Sequence, residues 1–280
     1  MAIQTTDVEG SIFDATQLLG LHVTEQKGNE VYLAAGAVHH ELVYIESETN
    51  GIHSIGLLAK DGDALRTIRR RVEDENLRII SEGPECSGIE DGFSFVGPEG
   101  WIFEVFIDMQ PAEPGRLSFG PDRYGHINFH PRDVRGMMEF LQRTLDFRLS
   151  DIIGDDYAYF MRCSPDHHGI ALIQGQGTFH HHAWQAQSIV DLGKLGDRLN
   201  RVGRELIWGP VRHGAGHNVA AYYVETSGAV VELYTDLEQI YDENRPPVKW
   251  SGEENWWNMW SSYRPESFRD FGIPPVTNRH

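Results

Sequence analysis

The chain has 280 residues, of which 40% are hydrophobic and 11% aromatic, so it can bury a sizeable core and extensive disorder is not expected. Its formal net charge of −18 disfavours nucleic acid and anionic membrane surfaces as partners, because both attract positively charged proteins. The two cysteines, Cys86 and Cys163, lie far apart and give neither a disulfide framework nor a zinc-site spacing.

The first residues contain no basic segment followed by an apolar one, so they do not have the pattern of a signal peptide. No run approaches the 18 apolar residues that a membrane-spanning helix needs. Together with the cysteine pattern, these features predict a cytoplasmic protein. We also expect a homo-oligomer.

Similar segments recur in the two halves of the chain. Residues 18–36 are similar to 144–163, residues 52–72 to 181–199, and residues 97–106 to 226–236. The offset between corresponding glutamates is 232 − 104 = 128, and that between corresponding histidines is 182 − 53 = 129. A fixed period of this size indicates a duplicated domain rather than a solenoid of short repeats.

Each half reads as two smaller units of one strand, one helix and several strands. The sequence therefore predicts an α+β fold of four βαβββ modules in two domains. We expect an N-terminal scaffold domain over residues 1–108, a linker rich in Pro, Gly and charge over 109–123, and a catalytic domain over 124–240. The tail, 241–280, is too aromatic to be disordered, and we expect it to pack near the active site.

The two halves differ in the residues that could bind a metal. Subtracting 128 from 126 gives −2, so the first half has no counterpart of His126. It keeps His53 and Glu104, but two ligands make a poor catalytic site. We therefore expect the N-terminal domain to have a shortened first strand and to bind no metal.

The strongest candidates for metal ligands are His126, His182 and Glu232, each within a short strand-like run. Two imidazoles and a carboxylate suit a non-haem Fe(II) site that leaves coordination positions open. A glutamate in so apolar a strand as 229–234 is costly unless it is paired or metal-bound. Alternation places His180 and His182 on one strand face and His181 on the other, so the pattern alone leaves the second ligand open.

These residues resemble the type I extradiol ring-cleaving dioxygenases of the vicinal oxygen chelate superfamily, in particular the dihydroxybiphenyl and homoprotocatechuate branches. The resemblance covers both halves and is strongest over 124–236. It implies Fe(II), or occasionally Mn(II), held by His126, His182 and Glu232. It selects His182 because the family ligand is the second histidine, followed by a small apolar pair. His180, His181 and His280 are then surface or supporting residues.

The resemblance also implies an activity, the insertion of both atoms of O₂ into a catechol ring beside its two hydroxyls. His168 would be the proton-transfer residue, Tyr222 would hold the deprotonated catechol oxygen, and His213 would hydrogen-bond the substrate. Trp208 stands where the homoprotocatechuate branch has a carboxylate-binding arginine. We therefore expect a neutral substituent on the catechol, enclosed by Trp208 and by tail tryptophans, namely Trp256, Trp257 and Trp260.

Two other functions fit parts of the sequence. A related metalloenzyme that does not cleave rings, such as an isomerase or a resistance protein, would keep the metal ligands without needing His168 and Tyr222. A metal-free protein that binds an aromatic ligand would need none of the metal ligands. Metal analysis and an aerobic assay with a catechol distinguish these alternatives.

Overall fold

The structure, a computed structural model, describes residues 1–115 and 119–276. In this part of the chain the strands are β1 Ala2–Thr5, β2 His22–Lys27, β3 Glu30–Ala34, β4 Leu42–Glu46, β5 Gly51–Leu58, β6 Arg78–Ser81, β7 Ile89–Val96, β8 Ile102–Met109, β9 Arg123–His130, β10 Arg148–Ile153, β11 Ala158–Arg162, β12 Ile170–Ile173, β13 Thr178–Gln185, β14 Trp208–Arg212, β15 Val219–Val224, β16 Val230–Thr235 and β17 Val248–Trp250. The helices are α1 Val8–Phe13, extended by π-helical turns over Asp14–Leu19, α2 Gly62–Asp74, α3 Val134–Leu145 and α4 Ile189–Arg201, with 3₁₀ turns at Pro98–Gly100 and Glu266–Asp270.

The helices begin where the sequence supplies a side chain that caps them. Asp61 accepts a hydrogen bond from the amide of Ala64 at the start of α2, and Asp133 accepts one from Gly136 at the start of α3. Ser188 and Asp191 form a capping box at the start of α4. Each helix turns an apolar face towards a sheet, so the helices cover one side of each sheet.

The strands form two sheets with the same internal plan. The first has the order β2-β3-β4-β1-β5-β8-β7-β6, and the second has the order β14-β15-β16-β13-β9-β12-β11-β10-β17. In each sheet two βαβββ modules join through an antiparallel pair of their first strands, β1 with β5 and β9 with β13. The predicted α+β architecture of four such modules is confirmed.

The two sheets differ at the strand that would carry a first metal ligand. β1 has four residues, whereas its counterpart β9 has eight. The first sheet takes its strands from residues up to Met109, and the second begins at Arg123. The domain boundaries themselves stay predictions. Residues 116–118 of the predicted linker, and His280, lie outside the described residues.

The tail makes main-chain contacts with both sheets. β17 pairs in parallel with β10 at the edge of the second sheet. Further along, Ile273 forms an antiparallel bridge with Phe179 of β13, and Pro275 bridges to Ile52 of β5 in the first sheet. The tail therefore joins a central strand of each sheet by main-chain contacts. Among the described helices, none is long and apolar enough to cross a membrane.

Candidate active site

Three adjacent central strands of the second sheet, β16, β13 and β9, bring two histidines and a glutamate together. His126 of β9, His181 of β13 and Glu232 of β16 each offer a ligand atom, and these atoms lie within 4.8 Å of one another. His126 Nε2 is 3.3 Å from Glu232 Oε2, and His181 Nε2 is 3.1 Å from the same oxygen. All three side chains are buried.

The electrostatics of this cluster favour the ionised form of Glu232 beside the imidazoles of His126 and His181. Burial alone would raise the pKa of Glu232, but His126 and His181 outweigh burial and hold that pKa well below its ordinary value. Burial also lowers the pKa of His181 to about 4, against the opposing pull of Glu232. Asn218 donates from Nδ2 to Glu232 Oε1 at 2.9 Å, which orients the carboxylate. Two imidazole nitrogens and one oxygen, buried and convergent, fit a divalent metal.

His182 is not part of this cluster, so its predicted role as the second metal ligand is wrong. Its Nδ1 accepts a hydrogen bond from Trp184 Nε1 at 2.8 Å. Its Nε2 lies 3.5 Å from Glu225 Oε1, on the opposite side of the sheet from the cavity. Both ring nitrogens are thus directed away from His126 and Glu232. His181, expected to be a surface or supporting residue, occupies the ligand position instead.

The register of β13 explains this difference. The pairing with β16 places His182 opposite Val231 and Ala183 opposite Glu232. Since neighbouring strands present paired residues on the same face, Ala183 and His181 share the face of Glu232. His182 and Trp184 take the other face, where Trp184 is completely buried in the core. The large tryptophan two residues after His182 was the sequence signal that this face belongs to the core.

His168, the predicted proton-transfer residue, lies beside the metal candidates. Its ring centroid is 4.2 Å from that of His126. Its Nδ1 is 3.0 Å from Nδ1 of His167, which leaves Nε2 as the nitrogen that can serve the cavity. His167 Nε2 in turn is 3.1 Å from Asp151 Oδ1. Burial, followed by the nearby His126 and His167, lowers the pKa of His168 well below its ordinary value, so the ring is neutral.

His213 and Tyr222 form a hydrogen-bonded pair at the same cavity. His213 Nδ1 donates to the carbonyl of Trp257 at 2.7 Å, so its Nε2 accepts from the hydroxyl of Tyr222 at 2.6 Å. Burial and the charge of Glu232 raise the pKa of Tyr222 well above its ordinary value, so the phenol keeps its proton. Trp208 stacks on Tyr222 with ring centroids 5.5 Å apart.

The cavity between these side chains is lined mainly by aromatic and imidazole rings, which suits a small aromatic molecule. Tail residues form part of its wall: Trp256, Trp257, Arg264, Phe268 and Arg269. The expectation for Trp260 is wrong, because its side chain is 55% exposed and outside the lining. The tail wall is also less apolar than expected, since it includes two arginines. The guanidinium of Arg264 lies over Trp257 and that of Arg269 over Tyr157.

The corresponding glutamate of the first half has a different environment. Glu104 Oε1 accepts hydrogen bonds from the backbone amides of Glu85 and Cys86, at 2.8 and 3.3 Å. His53 lies 3.3 Å from Gln4 Nε2 through its Nδ1. Backbone amides therefore donate to the Glu104 carboxylate in the first sheet, whereas in the second sheet the Glu232 carboxylate faces two histidines.

Comparison with known proteins shows what this chain is similar to. Residues 123–233 match the Glyoxalase/Bleomycin resistance protein/Dioxygenase superfamily. The metapyrocatechase of Geobacillus stearothermophilus is 28% identical over 274 residues, covering 88% of this chain and 83% of that protein.

Two solved structures are similar to almost the whole chain. The Mn(II)-bound glyoxalase from Novosphingobium aromaticivorans is 27% identical, has a TM-score of 0.87, and the match covers 93% of this chain and 89% of that one. Homoprotocatechuate 2,3-dioxygenase from Arthrobacter globiformis is 24% identical, has a TM-score of 0.91, and the match covers 99% of this chain and 91% of that one; this likeness concerns the fold. Residues 123–233, which contain the buried His–His–Glu cluster and form most of one sheet of paired βαβββ modules, are therefore similar to the Glyoxalase/Bleomycin resistance protein/Dioxygenase superfamily.

Proposed function

We propose that this protein is an extradiol dioxygenase that holds Fe(II), or Mn(II) in its place, through His126, His181 and Glu232. Its reaction inserts both atoms of O₂ into a catechol ring beside the two hydroxyls. The observation that carries the proposal is the grouping of His168 and the His213–Tyr222 pair with the three ligands around one cavity. A metal site alone would have no need of these proton-handling side chains.

The three ligands come from neighbouring central strands, so the sheet itself fixes their spacing. When bound, the metal would supply Lewis acidity to the catechol oxygens and a path for electrons from the catechol to O₂. The contribution of Glu232 is its negative charge, which the two histidines and Asn218 stabilise in the carboxylate form. The carboxylate partly neutralises the divalent ion and helps to retain it.

His168 is suited to take up and return a proton during the reaction. It is neutral in the resting site, with Nδ1 engaged by His167 and Nε2 available to the cavity. A neutral imidazole can accept a proton from the bound catechol and deliver it later to an oxygen atom of the cleaved O₂. His167 holds the ring in this orientation through the contact between the two Nδ1 atoms.

Tyr222 is suited to hold the other catechol oxygen, and His213, whose two ring nitrogens bond to Trp257 and Tyr222, orients the phenol rather than contacting the substrate. Because the Tyr222 hydroxyl donates to His213 Nε2, its oxygen retains lone pairs that can accept a hydrogen bond from a catechol hydroxyl. Trp208 stacks on Tyr222 and limits the movement of the phenol ring. The wall around the pair is largely aromatic and offers apolar contact to the ring that is cleaved.

The decisive test uses the purified protein, loaded anaerobically with Fe(II), then mixed with a catechol and air-saturated buffer. We expect one O₂ consumed per catechol and a yellow ring-fission product, with neither signal from metal-depleted protein. An intradiol product, or no oxygen uptake by iron-loaded protein across simple catechols, would contradict the proposal.

One similarity favours a second candidate, a metalloenzyme of the same fold that does not cleave rings. The Mn(II)-bound glyoxalase is similar over nearly the whole chain. A protein that binds a divalent metal tightly yet consumes no O₂ with any catechol would favour this candidate. A protein that binds an aromatic ligand but no metal would instead favour the binding function.

A further inference from the structure

We infer that His180 is a positioning residue that links the main chain of the tail to the metal ligand His181. Docking of the tail and binding of a metal would then be coupled. The inference rests on the proposed function in one respect only, that His181 is a metal ligand. The proposed metal site itself needs only the three ligands and does not require a histidine at position 180.

Two short contacts define the link. His180 Nε2 lies 2.7 Å from the carbonyl oxygen of Phe268, in the 3₁₀ turn of the tail. His180 Nδ1 lies 2.8 Å from Nδ1 of His181. Both rings are buried. The tail carbonyl and the metal ligand are thus joined through a single imidazole.

The chemistry of these groups permits one arrangement of protons. A carbonyl oxygen can only accept, so His180 Nε2 carries a hydrogen and donates to Phe268. His181 must keep the lone pair of Nε2 for a metal, so its own hydrogen is on Nδ1 and is donated to His180 Nδ1. The Phe268 carbonyl therefore sets the tautomer of His180, and His180 sets the tautomer and ring direction of His181. Metal-bound histidines are commonly oriented by such an acceptor on the other ring nitrogen.

The position of the bulge in β13 makes this contact possible. The pairing of β13 with β9 shifts between Phe179 and His181, which leaves His180 as the extra residue of a β-bulge. Adjacent strand residues normally point to opposite faces, but here His180 and His181 both line the cavity. His180 also stacks on His130, with ring centroids 4.7 Å apart, which restricts its rotation.

The tail is held at Phe268 itself and again at Ile273. Phe268 packs its ring against Trp208 and Tyr222, and Ile273 exchanges two backbone hydrogen bonds with Phe179, at 2.8 and 2.9 Å. A metal that requires the oriented His181 must therefore favour the docked tail. By linkage, the factor by which docking strengthens metal binding equals the factor by which metal stabilises docking.

The test compares full-length His180→Phe with the wild type, using Mn(II) as the probe added to metal-depleted protein. Loss of an outer contact to a metal ligand typically weakens metal binding roughly 10–100-fold, and we expect His180→Phe to do so. His180→Asn should recover part of the affinity, because its amide oxygen can accept from His181 Nδ1. His182→Asn is the matched control, a buried histidine of the same strand on the other face, and should leave the Mn(II) affinity unchanged.

Hydrogen exchange of the tail amides between residues 264 and 273 gives an independent measurement. Mn(II) should slow this exchange in the wild type and have a smaller effect in His180→Phe. If His180→Phe does not fold, His180→Gln, which can still donate to Phe268, provides the same comparison.

Equal Mn(II) affinity in the wild type and His180→Phe would overturn the coupling. A rate of hydrogen exchange in the wild-type tail that does not change when Mn(II) is added would also overturn it. Both results leave the proposed function standing. A wild-type protein that binds no divalent metal would instead overturn the proposed function and this inference together.

Discussion

Ala183 lies directly opposite Glu232 in the parallel pair of β13 and β16. This register decides which histidine of the run 180–182 can reach the metal. His181 is two residues from Ala183 and shares its face, whereas His182 faces Val231 and the core.

The first prediction separates the two histidines. His181→Ala should abolish tight binding of a divalent metal and leave the fold intact. His182→Ala should retain the metal but lower the free energy of unfolding by about 1–3 kcal/mol, because Trp184 Nε1 loses its buried acceptor. Metal content by mass spectrometry and denaturant unfolding check both variants. A metal-free His182→Ala with a metal-loaded His181→Ala would reverse the assignment.

The second prediction concerns proton transfer. His168→Phe should bind metal and catechol normally but turn over roughly 10²–10⁴ times more slowly, the usual contribution of a general acid or base. The matched control is His40→Phe. His40 is likewise buried, and its Nδ1 is 2.9 Å from Nδ1 of His39, but it lies in the first half, away from the cavity. Loss of metal from His168→Phe would place His168 among the ligands instead.

The third prediction is a pH dependence of stability in the loop that carries His167 and His168. Arg123 donates two hydrogen bonds to Asp166, at 2.7 and 2.9 Å, and Gln239 donates a third. Burial would raise the pKa of Asp166, but these donors outweigh burial and lower it below the ordinary value. Since the folded pKa is below the unfolded one, the stabilisation is present above the unfolded pKa of about 4 and is lost as the pH falls below that value and through the folded pKa.

Asp166→Asn should therefore destabilise the protein at pH 7, and the difference from the wild type should shrink as the pH falls towards 3. Denaturant unfolding at several pH values measures this difference. Asp155→Asn, a change at an exposed carboxylate, is the control and should give a small difference at every pH. A difference for Asp166→Asn that grows on acidification would show that the sign is wrong.

The fourth prediction concerns the substrate. The inner wall of the cavity is aromatic, and Arg269 is exposed and already donates to the carbonyl of Gln174. A carboxylate buried against Trp208 would lose several kcal/mol of hydration, and the indole offers it no charged partner. We therefore expect alkyl- or aryl-substituted catechols to exceed homoprotocatechuate in kcat/KM. Trp208→Arg should shift that ratio towards the acid, because a guanidinium pairs with a carboxylate through two hydrogen bonds.

The variants Arg264→Gln and Arg269→Gln give the control for this comparison. Both should leave the ratio of neutral to acidic catechols nearly unchanged. A wild-type preference for the acid that either variant removes would assign carboxylate recognition to the tail and contradict the prediction.

The sequence contained enough information for the architecture and for most of the site. The repeat at 128 residues predicted paired βαβββ modules. Five of the predicted site residues lie at one cavity: His126, His168, His213, Tyr222 and Glu232. Alternation left the second ligand open, because it depends on the strand register, and the resemblance then selected His182 although Trp184 marks that face as part of the core. A β-bulge at His180 changes that register, and bulges have no reliable signature in a single sequence. The tail arginines were missed because composition drew attention to tryptophans.

The tail holds His180 through the carbonyl of Phe268, a main-chain atom that every amino acid possesses. The side chains that the same segment presents to the cavity, including Arg264 and Arg269, are not part of that contact. Substitutions in the tail could thus alter which catechols are accepted without altering how the metal is held. This separation would let the substrate range change while the chemistry at the metal stays constant.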